Sequence, residues 1–407
     1  MAHSSTILNL VLRHLPKSEF ERFVQEHRGD HRVRKLSCWQ LFVCHIYAQL
    51  SGTASLRDLE LALGSMPNSL YHLGLDSFSR STIADANAKR PAIIFEQMFN
   101  SLVKRVNSVA PGHGFKFKNP LYSLDSTTVS LCLSLFKWAK FRTRKGALKI
   151  HLMLDHRGHL PSAAVITNGK KSDIKTARSL RFEPDSIVVV DRGYIDYCWL
   201  HRLTCQDIWW VTRLKKNINY QIIKRHKVEG NSGVTSDWTI RITGAKADSI
   251  PIELRRVRYV DPKTGKAYEF LTNIFHLSAK EIADIYKARW DIELFFKWIK
   301  QNLKVKSFFG TSENAVRIQI WSALCVYLML AYLKFISNSR FSLTNLLIRI
   351  RTNIMAKIRL AMVLYEKPHQ THPINIEYQL TLAFGGQHLE ITRQPILNAN
   401  SIGSPAQ

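Results

Sequence analysis

The first hundred residues have the apolar spacing of helices and contain no run that alternates like a strand. Apolar residues recur every three or four positions in 36–50 and 55–63, which predicts two amphipathic helices. The second is predicted to begin at Ser55, and residues 81–85 resemble another helix start. Such short helices joined by polar turns either read DNA or form a plain helical accessory domain.

A linker rich in proline and glycine at 111–120 is followed by the alternating pattern of β-strands. Three valines at 188–190 predict a buried strand that leads into a polar turn. The elements predicted in this part of the chain are strands at 121–131, 147–155 and 162–169, a helix at 173–181, a strand at 186–193, a helix at 196–203 and a strand at 207–217.

Residues 218–275 alternate strands with turns, and a long helix follows them. Ser278 and Glu281 form a capping box, and the amphipathic pattern then continues to about Asn302. Further helices extend to about residue 366, among them the apolar run Ile320–Leu333. This run of 14 residues predicts a buried core helix, since a membrane span needs about 20.

This order of elements predicts an α/β fold in which a mixed sheet is flanked by helices. The predicted regions are a helical N-terminal DNA-binding domain at 1–110, the first part of a core at 120–217, a β-rich insertion at 218–275, the second part of the core at 276–335 and a helical C-terminal region with a flexible tail at 336–407.

Charge narrows the class of partner. The chain of 407 residues has 58 Lys and Arg against 31 Asp and Glu, a net charge of +27. So basic a protein predicts a polyanionic partner, and +15 of the excess lies in residues 120–305. The six cysteines lack zinc-ligand spacing, and the first residues are too polar for a signal peptide. We therefore expect a cytoplasmic protein that binds nucleic acid and no membrane.

The long helix carries a polar face. Each residue of a helix advances by about 100° around its axis. Tyr286, Arg289, Glu293 and Lys300 therefore fall within one sector of about 60°, and Asp291 falls on the opposite side of the helix. A solvated helix face would explain this pattern alone. The apolar residues interleaved with it indicate a half-buried helix, where a Glu among cations suits an anionic substrate.

Two aspartates occupy notable places in the predicted strands. Asp125 interrupts an apolar strand, and Asp191 ends the valine strand at an edge where sheets present ligands. Together with Glu293 they could hold two Mg²⁺ ions, which favour oxygen ligands and catalyse phosphodiester chemistry in pairs. Asp155 and Asp173 are excluded from this set; Asp155 also ends a strand, but the turn that follows it explains it as a turn former.

These residues make the chain resemble the DDE transposases of bacterial insertion sequences, in the insertion-sequence-four branch. The Y-x2-R-x3-E-x6-K signature of that branch runs here from Tyr286 to Lys300. Its D-R-G-Y block begins at Asp191, and its D-x-T/S-T block begins at Asp125. The resemblance covers roughly residues 120–335.

The resemblance implies an RNase H-like catalytic core with a β-rich insertion before the Glu-bearing helix. It implies that Asp125, Asp191 and Glu293 are catalytic and bind Mg²⁺, for which Mn²⁺ substitutes. The residues that it assigns to DNA phosphates near the transposon end are Tyr286, Arg289 and Lys300.

Relatives that form a DNA hairpin stack an insertion-domain tryptophan on a flipped base. The matching position here is Tyr268, a departure that still allows stacking on a base. Trp238 is the competing candidate, and packing within the insertion would explain either residue.

Basic segments supply further DNA contacts. No acidic residue lies between Asp125 and Asp155, where basic residues alternate with aromatic ones, as in a groove that follows a nucleic-acid strand. A solvated hairpin is the alternative. The basic residues predicted to contact DNA are Lys140, Arg142, Arg144, Lys149 and Arg213.

The predicted function is that of a bacterial, nucleoid-associated transposase that cleaves the ends of its element and joins them to target DNA. The resemblance implies a hairpin intermediate and, because two ends are paired, a homodimer on DNA. A noncatalytic DNA-binding protein derived from a transposase is one alternative, and an RNase H-like nuclease is another. Metal-dependent cleavage would separate the first alternative from the prediction, and strand joining would separate the second.

Overall fold

One sheet runs through the computed structural model. The structure describes residues 5–66, 70–71, 73–142, 145–215, 217–228, 230 and 232–365, leaving aside the side chains of 140–142 and 145. The ten strands of the sheet are β1 (Leu121–Leu131), β2 (Lys140–Arg142), β3 (Lys145–Asp155), β4 (Leu160–Asn168), β5 (Ile187–Val190), β6 (Trp209–Arg213), β7 (Tyr220–Arg225), β8 (Val234–Ile242), β9 (Glu253–Val260) and β10 (Ala267–Thr272).

The first half of this sheet has the strand order of an RNase H-like core. Strands β1, β3 and β4 form an antiparallel meander, and the short strand β2 pairs antiparallel with the first residues of β3. Strands β5 and β6 then continue the sheet in parallel on the other side of β1. The order β4-β3-β1-β5-β6 confirms the predicted mixed α/β fold.

The β-rich insertion extends the same sheet. Its last strand, β10, pairs antiparallel with β6, with Phe270 opposite Arg213. Strands β9, β8 and β7 follow in antiparallel order. The turns in the sequence indicate these strands but not this pairing, which joins the insertion to the core through backbone hydrogen bonds.

Helices cover the sheet and form a bundle beside it. Among the described residues they are α1 (Ile7–Leu12), α2 (Lys17–Glu26), α3 (Cys38–Ser51), α4 (Leu56–Gly64), α5 (Arg80–Lys89), α6 (Ala92–Asn107), α7 (Asp173–Ala177), α8 (Tyr197–Cys205), α9 (Ala279–Ala288), α10 (Trp290–Asn302), α11 (Glu313–Ile336), α12 (Leu343–Thr352) and α13 (Ala361–Leu364). The predicted helices at 36–50 and 55–63 correspond to α3 and α4.

Helix α11 is the centre of the bundle. It packs against α3 and α6 of the N-terminal helices and against β4 of the sheet. By length and composition it could cross a membrane, but 89% of its most apolar window is buried inside the protein. The predicted core helix at Ile320–Leu333 is therefore confirmed, and the N-terminal helices share its core.

The predicted long helix is in fact two helices. The capping box of Ser278 and Glu281 starts α9 as expected, but the α-helical pattern is interrupted at Arg289 before α10 begins. The amide of Arg289 donates to Tyr286 O at 3.2 Å and that of Ile292 to Arg289 O at 3.3 Å. Bonds spanning three residues tighten the chain at this point, and the pattern of apolar positions does not reveal such a change.

Alternation along the strands decides which helices meet which face of the sheet. Successive side chains of a strand point to opposite faces. Ile187 and Val189 therefore pack with α9, whereas Val188 and Val190 pack with α8 on the other side. Asp125 and Asp191 have the parity of the α9 face, toward which α10 continues.

Candidate active site

The pairing of β1 with β5 brings two of the predicted carboxylates together. The parallel ladder ends with Leu124 beside Val190. Asp125 and Asp191 are the next residues on the two strands, whose spacing is about 4.8 Å. Both strands are buried up to this point, so the hydrophobic core fixes where the two aspartates lie.

Glu293 reaches the same place from the first turns of α10. The guanidinium of Arg289 donates to Glu293 Oε1 at 2.7 Å and lies 3.7 Å from Asp125 Oδ2. One cation thus bridges a carboxylate of the helix and a carboxylate of the sheet. The guanidinium side chain is 12% exposed, so solvent screens these contacts less than it screens a surface ion pair.

The remaining signature residues face the same strands. The hydroxyl of Tyr286 donates to Asp191 Oδ1 at 3.4 Å. The ammonium of Lys300 donates to the Thr127 hydroxyl and, at 3.3 Å, to Thr128 O. The polar face predicted for one straight helix is therefore present, although α9 and α10 meet at Arg289.

Burial and the neighbouring carboxylates raise the pKa of Asp125. Burial is the largest cause that raises the pKa of Asp125 to about 6, and the charges of Glu293 and Asp191 raise it further. The Ser126 amide and Arg289 oppose the shift. Burial lowers the pKa of Arg289, but its hydrogen bond to Glu293 and the neighbouring anions produce a net rise. The site is an anionic cluster with the partly buried guanidinium of Arg289 against it.

A second polar group lies behind Asp125, and the predicted site did not include it. The Ser126 hydroxyl donates to Asp173 Oδ1 at 2.6 Å, and His151 Nδ1 lies 3.3 Å from the same oxygen. Lys149 approaches Asp173 at 3.3 Å. The serine of the D-x-T/S-T block was the available signal, since its side chain leaves the opposite face of β1 from Asp125.

Asp155 has the structural role that its turn predicts. Its buried carboxylate binds the Arg157 guanidinium at 2.7 Å and the Arg157 amide at 2.8 Å.

Tyr268 lies in the insertion on the face of the sheet that carries the carboxylates. Its ring stacks on Phe270 at 6.1 Å, and Phe270 lies 4.9 Å from the ring of Tyr286. The Arg213 guanidinium lies 5.2 Å from the centre of the Tyr268 ring. Trp238 instead packs with the core on the α8 side, where the Arg256 guanidinium covers it at 4.5 Å.

Comparison with known proteins identifies the family of this chain. A family model described as "Transposase DDE domain" matches residues 116–329, slightly more than half of the chain. The chain belongs to the DDE transposase family. A second model, described as a domain of unknown function (DUF4372), matches residues 3–76 of the transposase.

Curated relatives of this transposase come from several bacteria. It is 33% identical to "Putative transposase y4zB" of Sinorhizobium fredii over 66% of this chain and 76% of that one. It is 30% identical to "Probable transposase for insertion sequence element IS5377" of Geobacillus stearothermophilus, over 64% and 68%. It is 23% identical to "Transposase InsG for insertion sequence element IS4" of Escherichia coli, over 46% and 43%.

A solved structure of the piggyBac transposase synaptic complex with hairpin DNA matches at a TM-score of 0.37 and 9% identity. The match covers 91% of this transposase and 88% of that chain.

Family membership decides between the three predicted functions. The chain is an insertion-sequence transposase of the insertion-sequence-four type, an enzyme that cleaves and transfers DNA strands. The family binds DNA and depends on divalent metal ions. These properties favour the transposase over the noncatalytic protein and over a nuclease that only cuts.

The predicted basic groove of the transposase is only partly described. Lys140 and Arg142 belong to β2, whose side chains are not described, and Arg144 lies outside the described residues. The ammonium of Lys149 is paired with Asp173, and Arg213 lies against Tyr268. Arg213 therefore lies beside Tyr268 on the face of the sheet that carries the carboxylates, whereas Lys149 pairs with Asp173, which Ser126 contacts from the other face of β1.

Proposed function

We propose that Asp125, Asp191 and Glu293 hold the divalent cations with which this transposase cleaves and joins DNA, and that the physiological ion is Mg²⁺, replaceable by Mn²⁺. The observation that carries the proposal is that Arg289 bridges Glu293 and Asp125, while the pairing of β1 with β5 brings Asp191 beside Asp125. Carboxylate oxygens are the ligands that Mg²⁺ prefers. The pKa of Asp125 is raised first by burial and further by the other two anions, which suits a place where bound cations offset the repulsion.

Divalent cations bound by these residues would lower the pKa of an attacking water and stabilise the leaving oxygen of a phosphodiester. Basic side chains of the protein bind the DNA backbone. Arg289 offers a planar pair of donors that fits two phosphate oxygens, and Lys300 offers a point charge. The contact of Lys300 with Thr127 keeps that charge two residues along β1 from Asp125.

The same site serves four successive steps. Water cleaves the phosphodiester at the element end and leaves a 3′-hydroxyl, which attacks the opposite strand and closes a hairpin. A second water reopens the hairpin, and the 3′-hydroxyl then attacks a phosphodiester of the target. Each step exchanges one P–O bond for another, so no cofactor beyond the metal ions is required.

Tyr268 is the residue that we assign to the hairpin step. A hairpin forces one base out of the stack, and an aromatic ring can hold such a base by stacking. Tyr268 is half-buried on the face that carries the carboxylates, and Arg213 beside it can contact the adjacent phosphate.

Two ends must be brought together for transposition. We therefore infer that the transposase acts as a homodimer on DNA and is associated with the nucleoid in the bacterial cytoplasm. The helices of residues 1–110 are assigned to recognition of the transposon end and the strands of 218–275 to hairpin formation. Residues 120–217 and 276–335 form the catalytic core of this proposal, and 336–407 the C-terminal region.

A labelled duplex that carries the element end tests this reaction sequence. With Mg²⁺ or Mn²⁺, the wild-type protein should first nick one strand, then give a hairpin that migrates on a denaturing gel as a single strand of twice the length. Added target plasmid should then become joined to the reopened end. A double-strand break that forms without a hairpin would contradict the hairpin step, and cutting without joining would favour a nuclease.

Replacing Tyr268 tests the assignment of the base-stacking residue. We expect Tyr268→Ala to nick the end normally but to form the hairpin about 10- to 100-fold more slowly, because stacking on a base contributes about 1–3 kcal/mol. Tyr268→Trp should restore the rate. The measurement is the ratio of hairpin to nicked product over time.

Trp238→Phe is the matched control, since its ring lies on the other face of the sheet and keeps its packing there. It should leave the ratio of hairpin to nicked product unchanged. A ratio that falls in Trp238→Phe and persists in Tyr268→Ala would transfer the role to Trp238.

A further inference from the structure

Two histidines and an aspartate meet beside the carboxylate site. His156 and His159 lie in the turn between β3 and β4, and Asp291 lies in the first turn of α10. Nδ1 of each histidine is 3.4 Å from Asp291 Oδ2. The three ligand atoms all lie within 4.8 Å of one another. None of these residues belongs to the transposase signature.

The spacing of these atoms suits a bound transition-metal ion. Tetrahedral Zn²⁺ with bonds of about 2.0–2.1 Å separates its ligand atoms by about 3.3–3.5 Å. The two distances from Asp291 to the histidine nitrogens agree with that separation. Imidazole nitrogens favour Zn²⁺ and similar ions, whereas Mg²⁺ favours oxygen alone.

The hydrogen-bond partner of His156 orients its ring for binding such an ion. Its Nε2 lies 2.7 Å from the hydroxyl of Ser123, and both side chains are almost completely buried. When Nε2 donates its proton to Ser123, Nδ1 keeps a lone pair directed to the side of Asp291. A metal-binding histidine generally has such a partner on its other nitrogen.

The backbone of the turn is held in an unusual conformation. His159 has a φ of 54°, a left-handed value that residues with a side chain rarely adopt. The hydroxyl of the buried Tyr327 donates to His159 O at 3.0 Å and fixes this peptide. The neighbouring Gly158 also has a positive φ, as the short turns of β-hairpins commonly require, so the turn itself holds His159 in this orientation.

We propose that His156, His159 and Asp291 bind one transition-metal ion of the Zn²⁺ class, separate from the catalytic cations. His159 is 59% exposed, so water can occupy the fourth position. The ion would fasten the β3–β4 turn to α10 close to Glu293, while Ser123 lies two residues before Asp125 on β1. Its role is to position the helix that carries Glu293.

Cobalt spectroscopy on the full-length protein without DNA tests this site. We expect one equivalent of Co²⁺ to bind and to give the intense visible absorption bands that are typical of a low coordination number. Zn²⁺ should displace this Co²⁺. His159→Gln and Asp291→Asn should abolish these bands. Ser123→Ala should weaken binding by about 10- to 100-fold, as loss of such a partner usually does.

Two controls make the result independent of catalysis. The double variant Asp125→Asn with Glu293→Gln should keep the Co²⁺ bands, because it changes only the carboxylate site. His31→Gln, at an exposed position, should keep them as well. Melting temperatures give a second readout: Zn²⁺ should raise that of the wild type and not that of His159→Gln.

The proposal is overturned if the wild type shows no bands, which would leave two histidine–aspartate ion pairs. It is also overturned if the bands survive in both His159→Gln and Asp291→Asn. Bands lost in the Asp125 and Glu293 double variant would assign the ion to the carboxylate site instead.

Discussion

Asp191→Asn should reduce cleavage of the element end by at least about 1000-fold in the presence of Mg²⁺. The substitution keeps the shape of the side chain and removes one of three anionic ligands. Metal ions of this kind lower the activation free energy by several kcal/mol, and about 1.4 kcal/mol corresponds to a tenfold change in rate. Asp191 follows the buried strand β5, so the change is not expected to disturb the core. The measurement is the single-turnover nicking rate on the labelled end.

Asp125→Asn and Glu293→Gln should have losses of the same order. Asp284→Asn is the matched control, because Asp284 lies on α9 with 41% of its side chain exposed and pairs with Lys280. It should cleave at the wild-type rate. Nicking by Asp191→Asn at the wild-type rate would show that the metal assignment is wrong.

Arg289→Ala should reduce nicking by about 100- to 1000-fold, the range seen when a donor that stabilises a transition-state anion is removed. It should also lower the Mg²⁺ concentration needed for half-maximal rate. Arg289 lies 2.7 Å from Glu293 and 3.7 Å from Asp125, so it competes with cations for the same carboxylates. Measuring the nicking rate against Mg²⁺ concentration separates the two effects.

Arg289→Lys should have an intermediate rate, because it keeps the charge and loses the planar fork. Lys287→Ala, an exposed neighbour on α9, should match the wild type in both quantities. An unchanged Mg²⁺ requirement in Arg289→Ala would contradict the competition, and an unchanged rate would contradict the phosphate contact.

Several features of the fold follow directly from local patterns in the sequence. Alternating positions predict β1 at 121–131, and the observed strand is Leu121–Leu131. The capping box predicts the start of α9, because Ser278 and Glu281 satisfy the free backbone amides at that point. The valine run predicts that Asp191 ends a buried strand, and the parallel pairing with β1 then brings Asp125 beside it.

Other features depend on contacts between distant segments, which a local pattern does not encode. The pairing of β10 with β6 and the junction at Arg289 are of this kind. Lys149 belongs to a basic segment predicted to contact DNA, yet its ammonium pairs with Asp173 from another part of the chain. Helical spacing indicates that Asp291 faces away from Glu293, but only the folded turn brings His156 and His159 to it.

Binding of Mn²⁺ measured by electron paramagnetic resonance tests the central claim, that three carboxylates hold the catalytic cations. The transposase is titrated in complex with a pre-nicked element end, in the His159→Gln background so that the second site does not contribute. We expect bound Mn²⁺ in this background and its loss when Asp125→Asn or Asp191→Asn is added. Undiminished Mn²⁺ binding in both of those variants would contradict the account.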